Sequence, residues 1–358
     1  MNEKQVRLPC CSDSGKIALI LCAFVLTSCA GDAARFRFDD YRTRLARALK
    51  LDAVQSVQLV DPARRPRKRD MWLEPEQSTI SMIDFLRLYD CRLGEVIGER
   101  NSVLGKVAPA SQRLFNDLAF LHHAPECISQ LRTRQSDALA DRLVEAVSGK
   151  LDGLTVSIAN ATLASDEFSG LWRVPVDLDD FPVNAGSATI TELHYVTSQV
   201  ESWLSGDFRF DSARFEQALG RLRHGQAGSL IAAATLTYSQ LQSANRMIEQ
   251  RLASRPLCFK GKPGRQGHIL RRVVDRFFVG EVQVWLSRVS AQRHDLLAPY
   301  RLLEKHLEDA QTPAYRQWRD RRDSQLAWLS SAPREHVQSI LPLLESCGLA
   351  PGSRQPEP

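Results

Sequence analysis

Apolar positions recur every three or four residues along most of this chain, which is the period of a helix with one buried face. Phe38, Tyr41, Leu45 and Leu49 form the first stripe. Met82, Phe85, Tyr89, Leu93 and Val96 form the next, and Ser81 with Asp84 three residues on can cap it. Leu114, Leu118 and Leu121 predict a helix ending near Pro125, since a proline lacks the backbone donor a helix interior needs. Leu139, Leu143 and Val147 predict another. Helical spacing resumes after Thr189 through Leu193, Val196, Val200 and Leu204, then in Leu230, Ala234, Leu241, Ala244, Ile248 and Leu252. A further helix is expected from about Ile269 to Leu286, with Val273, Phe277, Phe278 and Trp285. The last carries Val337, Ile340, Leu344 and Cys347 before Gly348.

Two intervals break the rhythm. Pro62, Pro66 and Pro75 interrupt a stretch holding Arg64, Arg65, Arg67, Lys68 and Arg69, which reads as a solvated loop or, more sharply, as a contact for anionic headgroups. Residues 166–187 hold Gly170, Pro175, Pro182, Gly186 and four aspartates, and read as an irregular connection. Strand signals are few and no fixed-period repeat is present. The expectation is an all-α, multi-helix globular domain over 35–350, with 351–358 a disordered tail.

The first thirty residues have another pattern. Lys4, Arg7 and Lys16 precede an apolar run from Ile17 to Leu26, and Leu26-Thr27-Ser28-Cys29 resembles a lipobox. Residues 1–28 are expected to be a lipoprotein signal peptide, with Cys29 lipidated and 29–34 a tether. A spanning helix needs about 20 apolar residues, and this run is too short. Cys10 and Cys11 precede the apolar run, and Cys22 follows the bulky Leu21, so none competes with Cys29. At ~3.6 Å per extended residue the tether reaches no more than about 20 Å, which holds the folded body against the bilayer. Ala30 is not an inner-membrane retention aspartate, so the expected site is the inner leaflet of the outer membrane, facing the periplasm, with the inner membrane as the alternative.

Composition adds little beyond this. The formal charge of +5 becomes +4 once residues 1–28, with three cations and two anions, are removed. Such a balance suits anionic lipid or glycan and lacks the dense basicity of a nucleic-acid binder. After Cys29 the chain keeps Cys91, Cys127, Cys258 and Cys347. In an oxidising compartment four cysteines allow three connectivities. Their distribution, two early and two late, favours Cys91–Cys127 with Cys258–Cys347, and the alternative is four buried thiols.

Cys91 through Val107, CRLGEVIGERNSVLGKV, and Leu257 through Leu286, LCFKGKPGRQGHILRRVVDRFFVGEVQVWL, carry a family resemblance together with the lipobox and the closing LLESCGL. The chain resembles a family of proteobacterial lipoproteins known as domain of unknown function 3080. The similarity spans nearly the whole mature chain, and Glu99-Arg100-Asn101-Ser102 followed by Leu104-Gly105-Lys106 is its most specific piece. Val284-Trp285 stands where similar chains carry a Pro-Tyr pair. The resemblance implies a periplasmic lipoprotein with the same four cysteines, and no activity, cofactor or ligand.

Glu99, Arg100, Asn101, Ser102 and Lys106 form the first candidate cluster, able to grip a carboxylate, sugar or phosphate or, more simply, to staple a helix end. Lys260, Lys262 and Arg265, among Gly261, Gly264 and Gly267, could form an anion loop, although no P-loop spacing is present and a helix lead-in held by Cys258 is the plainer reading. Glu201-Ser202-Trp203 resembles the Glu-Ser of lytic transglycosylases, but the Gly-Leu-Met-Gln segment of those enzymes is missing. His122 and His123 cannot face one metal from a helix, and neither H-E-x-x-H nor G-x-S-x-G is present, so no metal site, catalytic residue or cofactor is expected. Asn160-Ala161-Thr162 matches a glycosylation sequon that a bacterial lipoprotein would seldom use. The expected function is a binding or envelope-assembly factor with an envelope protein or glycan partner and no nucleic acid. A glycan-cleaving or other hydrolase is the alternative.

Overall fold

The computed structural model describes residues 33–75, 88, 91–183, 186–254, 256–259 and 261–350. The signal segment 1–28, Cys29, the helix start at Ser81 to Asp84, Tyr89, Lys260 and the tail 351–358 lie outside them. The described residues are all-α. In chain order the helices are α1 (Ala33–Ala48), the single turn α2 (Lys68–Met71), α3 (Arg92–Asn101), α4 (Val103–Lys106), α5 (Ala110–Thr133) and α6 (Asp137–Ala161). They continue with α7 (Asp166–Leu171), α8 (Ser187–Leu204), α9 (Ser212–Arg223), α10 (Ala227–Leu252) and α11 (Arg265–Val273). A π-helical stretch, Val274–Gln283, joins α11 to α12 (Val284–His306), and α13 (Pro313–Ser346) follows.

Helix α10 is the hub. Its Leu230, Ile231, Ala234, Leu241, Ala244 and Ile248 are all fully buried, and it packs most extensively against α13. The remaining core is contributed by α1, α5, α6, α7, α8, α9 and the α11–α12 path. A smaller hydrophobic cluster joins Leu93 and Ile97 of α3 to Phe120, Ala124 and Cys127 of α5 and to Leu139, Ala140 and Leu143 of α6. Two cysteine pairs stand at disulfide distance: Cys91 with Cys127, Cα atoms 5.8 Å apart, and Cys258 with Cys347, 5.1 Å apart. The first ties α3 to α5 in the small cluster, and the second ties the lead-in of α11 to the end of α13.

Several sequence expectations are corrected. Helix α5 does not end near Pro125 but continues to Thr133. A proline inside a helix costs about 3 kcal/mol. Burying Cys127 and Leu131 beyond it, at about 1.5–3 kcal/mol for a large apolar side chain, offsets that cost. The irregular connection begins later than Asp166, because Ser165 accepts a hydrogen bond from the Phe168 amide and caps α7. Helix α9, capped by Asp211 through the Arg214 amide, was not expected. The helix expected over 269–286 belongs to a path running from Arg265 to His306. Val337 and Leu252 are exposed rather than on the buried stripes, and His336 points inward in place of Val337.

The arginine-rich run is largely solvated, with Arg64, Arg67, Lys68 and Arg69 exposed, and only Arg65 turns inward. Arg65 donates to the carbonyls of Leu163 and Phe168, and its guanidinium lies 5.0 Å from the Trp318 ring. Lys68 bonds Asp166 at 2.9 Å, and Arg67 bonds Asp70 at 3.2 Å. The extended segment before it is held by side chains. Gln55 O accepts from Arg42 and Ser243, Asp61 O from Gln325, and Ala63 O from the Trp318 indole. Asn160 of the sequon is buried, exchanging two hydrogen bonds with the backbone of Leu73, and presents no glycosylation acceptor.

Two polar networks run through the core. In the first, Arg322 is fully buried and its Nη1 and Nη2 donate to the two oxygens of Glu304, at 2.8 and 2.9 Å. Its Nε donates to Asp323, and Tyr315 donates to Glu304 at 2.7 Å. The guanidinium also lies 4.9 and 5.0 Å from the Trp318 and Trp172 rings. Burial lowers the pKa of Arg322, and the charge and hydrogen bonds of Glu304 more than offset this, so the group stays well above its ordinary value. In the second, His336 on α13 meets Asn245 Oδ1 and the Tyr41 hydroxyl, each at 2.6 Å. An amide oxygen only accepts, so Nδ1 carries the proton and Nε2 accepts from Tyr41.

Removing one partner of a buried ion pair strands the other, at about 3–5 kcal/mol. Glu304→Ala should therefore lower the urea midpoint by that equivalent, and Glu304→Leu with Arg322→Met should regain part of it. An unchanged midpoint in Glu304→Ala would show that the pair contributes nothing. Burial holds His336 at about 3, below the ~6.5 of an unfolded histidine. The unfolded chain thus takes a proton that the folded chain refuses, and stability falls as pH drops from ~6.5 toward ~3. Between about pH 7.5 and pH 5.5 the wild type should lose about 1.4 kcal/mol more than His336→Gln does. Equal losses would assign the acid sensitivity elsewhere.

Candidate functional site

One cleft grows out of three close approaches at glycines, two of them to backbone. A Cβ on Gly170 would lie 2.5 Å from the Arg223 carbonyl oxygen, one on Gly228 would strike the Arg173 carbonyl, and one on Gly225 would lie 2.6 Å from Leu171. These glycines let the end of α7 lie directly on the turn between α9 and α10. The chain then leaves through residues 174–183, where Asp179 has a φ of +44° and the Phe181–Pro182 peptide is cis. Leu178 and Phe181 are buried and pin this loop, and the Trp285 indole donates to the Phe181 carbonyl at 2.9 Å. Gly186, at a φ of +110°, starts α8.

What remains open is a cleft of about 520 Å³. The loop contributes Asp177, Asp179 and Asp180, and the end of α7 with the α9–α10 turn contributes Arg173, Arg223 and His224. All six side chains belong to exposed residues, while Leu178, Phe181 and Ser229 are buried. The arrangement offers hydrogen bonds and charges of both signs over a small apolar floor. Among the described residues no three His, Cys, Asp or Glu side chains are grouped to hold a metal ion. Nor is any helix among them long and apolar enough to cross a membrane.

The residues singled out from sequence lie elsewhere. Glu99, Asn101 and Ser102 are exposed, and Ser102 donates to Glu99 O at 2.7 Å while accepting from the Gly105 amide at 3.0 Å. A Cβ on Gly105 would strike the carbonyls of Glu99 and Arg100, so the turn requires glycine there. Arg100, its side chain 42 % exposed, pairs with buried Asp117, which Lys150 and Ser157 also hold. The segment is thus a capped turn with one arginine reaching α5. The Lys106 side chain lies outside the described residues.

The expected anion loop is a tight turn. Phe259 and Lys262 form an isolated bridge, Gly261 takes a φ of +70°, and Lys262 and Arg265 are exposed. Gly267 is buried because its Cβ position lies 2.8 Å from Cys258 Sγ. Glu201 is an exposed residue of α8. His122 and His123 stack edge-on to each other, with centroids 4.9 Å apart. Sequence reasoning missed Arg173, Asp177, Asp179, Asp180, Arg223 and His224 as a group. The aspartates were visible as composition, and Arg223-His224-Gly225 carries the basic-then-glycine signature of a helix end.

No curated protein and no solved structure matches the chain. The sequence model of the family described as protein of unknown function, DUF3080, matches residues 38–351. With the match covering the helical body from the first turns of α1 to the end of α13, the chain belongs to the DUF3080 family.

Proposed function

We propose that this protein is a membrane-anchored binding factor, held by lipid on Cys29, whose ligand occupies the cleft between the 174–183 loop and the α9–α10 turn. The observation that carries the binding site is the 520 Å³ opening itself, with carboxylates and guanidiniums gathered on its rim. A ligand carrying both charges, such as a peptide or an amino-bearing glycan, matches that rim. A glycan-cleaving acid needs a carboxyl in poorly solvated surroundings. Asp177, Asp179, Asp180 and Glu201 are all exposed, which favours binding over hydrolysis.

The anchor reading rests on Leu26-Thr27-Ser28-Cys29 and its apolar run. Helix α1 begins only four residues after Cys29, a span of at most about 14 Å. A lipid on Cys29 would hold the body near the membrane surface, and Ala30 fits the inner leaflet of the outer membrane, facing the periplasm. An alkyne fatty acid fed to cells should label the wild type and spare Cys29→Ala. Equal labelling would remove the anchor.

The cleft is tested separately. A photocrosslinking amino acid at Val176, 91 % exposed and next to Asp177, should capture a ligand or partner in intact envelopes, whereas one at exposed Leu59 should not. Arg223→Glu should abolish the product at unchanged melting temperature, since exposed substitutions shift stability by about 0.5 kcal/mol or less. Arg100→Ala should leave it intact and cost about 1 kcal/mol or less, because a half-exposed pair contributes little. Loss of the product in Arg100→Ala alone would move the site to the 99–106 turn.

A further inference from the structure

A second cavity, about 360 Å³, lies between α12 and α13, walled by Arg293, Leu297, Arg301, Asp323 and Leu326. Ala298 and Ala327 leave it room. Leu297 and Leu326 are buried and form an apolar floor. The charges around it are unequal. Arg293 Nη1 donates to the Leu326 carbonyl at 2.9 Å, a neutral acceptor that uses one of five donors and cancels no charge. Arg301 stands 3.6 Å from Asp323 Oδ2, beyond the range of a charge-assisted hydrogen bond.

Asp323 is already engaged, because its Oδ1 takes Arg322 Nε at 2.9 Å. Glu304 is consumed by the other two nitrogens of Arg322 and by Tyr315. Three guanidiniums, of Arg293, Arg301 and Arg322, therefore face two carboxylates, and the excess positive charge lies on the cavity side. His294 is at the rim and exposed. Burial, and then the charge of Arg301, holds Arg293 below the ordinary arginine range, as expected for a partly buried cation beside another cation.

We propose that this cavity binds a small organic anion, its phosphate or carboxylate head bridging Arg293 and Arg301 and its compact apolar remainder resting on Leu297 and Leu326. The arginines are eight residues apart on one helix, a rise of about 12 Å. Two long side chains can close that distance on a head held between them. Guanidinium forks match the paired oxygens of phosphate and carboxylate, and one bound anion cancels the local excess. A bare inorganic ion would fill only a small part of the cavity, and the buried leucines favour an organic substituent. This site is independent of the rim-charged cleft, so either can fail alone.

The test is isothermal titration of the mature chain, at fixed ionic strength, with phenyl phosphate, benzoate and the neutral benzyl alcohol. At least one acid should bind saturably and more tightly than the alcohol. Arg301→Gln and Arg293→Gln should each weaken it about tenfold or more, the scale of a lost charge-assisted hydrogen bond. Arg209→Gln, at an exposed arginine outside the cavity, should bind as the wild type does. Arg301 is exposed, so its variant keeps the fold and decides the matter if Arg293→Gln does not fold. The relative affinity of the two acids identifies the head group. The proposal is overturned if neither acid saturates, if Arg301→Gln binds as tightly as the wild type, or if the alcohol matches the acids.

Discussion

The contact between Arg322 and Glu304 is the constraint around which the other elements are arranged. Isolated charges of this kind cost several kcal/mol each to bury, so the pair persists only with good geometry and with its remaining donors and acceptors satisfied. Both conditions are met by different parts of the chain. Helices α12 and α13 supply the two charges, Tyr315 and Asp323 close the hydrogen bonding, and Trp172 and Trp318 cover the guanidinium. Trp318 also receives Arg65 on its ring and donates to Ala63. One ion pair thereby fixes a helix hairpin, the start of the 172–183 loop and the extended segment before α2.

The helical fold was legible because its cause is local. Stripes such as Phe38, Tyr41 and Leu45, or Leu230, Ala234 and Leu241, record a buried face, and all of these residues are buried. The failures have physical reasons. Pro125 signals a helix end, but packing on both sides of it and the link at Cys127 carry α5 through. Helix α9 was hidden because Ser212 to Arg223 is largely polar, and only Phe215, Ala218, Leu219 and Leu222 are buried. Arg65 and Arg322 are identical in sequence to surface arginines. The partial burial of Arg65 and the full burial of Arg322 depend on partners 98 and 18 residues away, which no periodicity encodes.

Candidate chemistry was less legible than fold. Motif reading went to residues that are unusual side by side, such as Glu99 to Ser102, and these form a solvent-facing turn. The cleft is assembled instead from segments about fifty residues apart, brought together by Gly170, Gly225 and Gly228, where a methyl group would not fit. A glycine in sequence shows that a backbone approach is allowed, not what it approaches. The two cavities also share a neighbour. Trp172, next to rim residue Arg173, covers the same Arg322 whose Nε is held by Asp323.

The extended segment before α2 has a consequence for the order of assembly. It has no ladder of its own, and its carbonyls are held by Ser243, Trp318 and Gln325, up to 264 residues further along. Helix α1 likewise reaches His336 through Tyr41. A chain made from its amino terminus therefore produces its first helix and this segment long before the groups that secure them. Arg42 and Ser243 hold Gln55 earlier, but the contacts of α1 and the segment are complete only once α13 has emerged. The early part of the protein is native only once nearly the last of it has arrived, so a chain cut short before α13 would leave its own beginning unfastened.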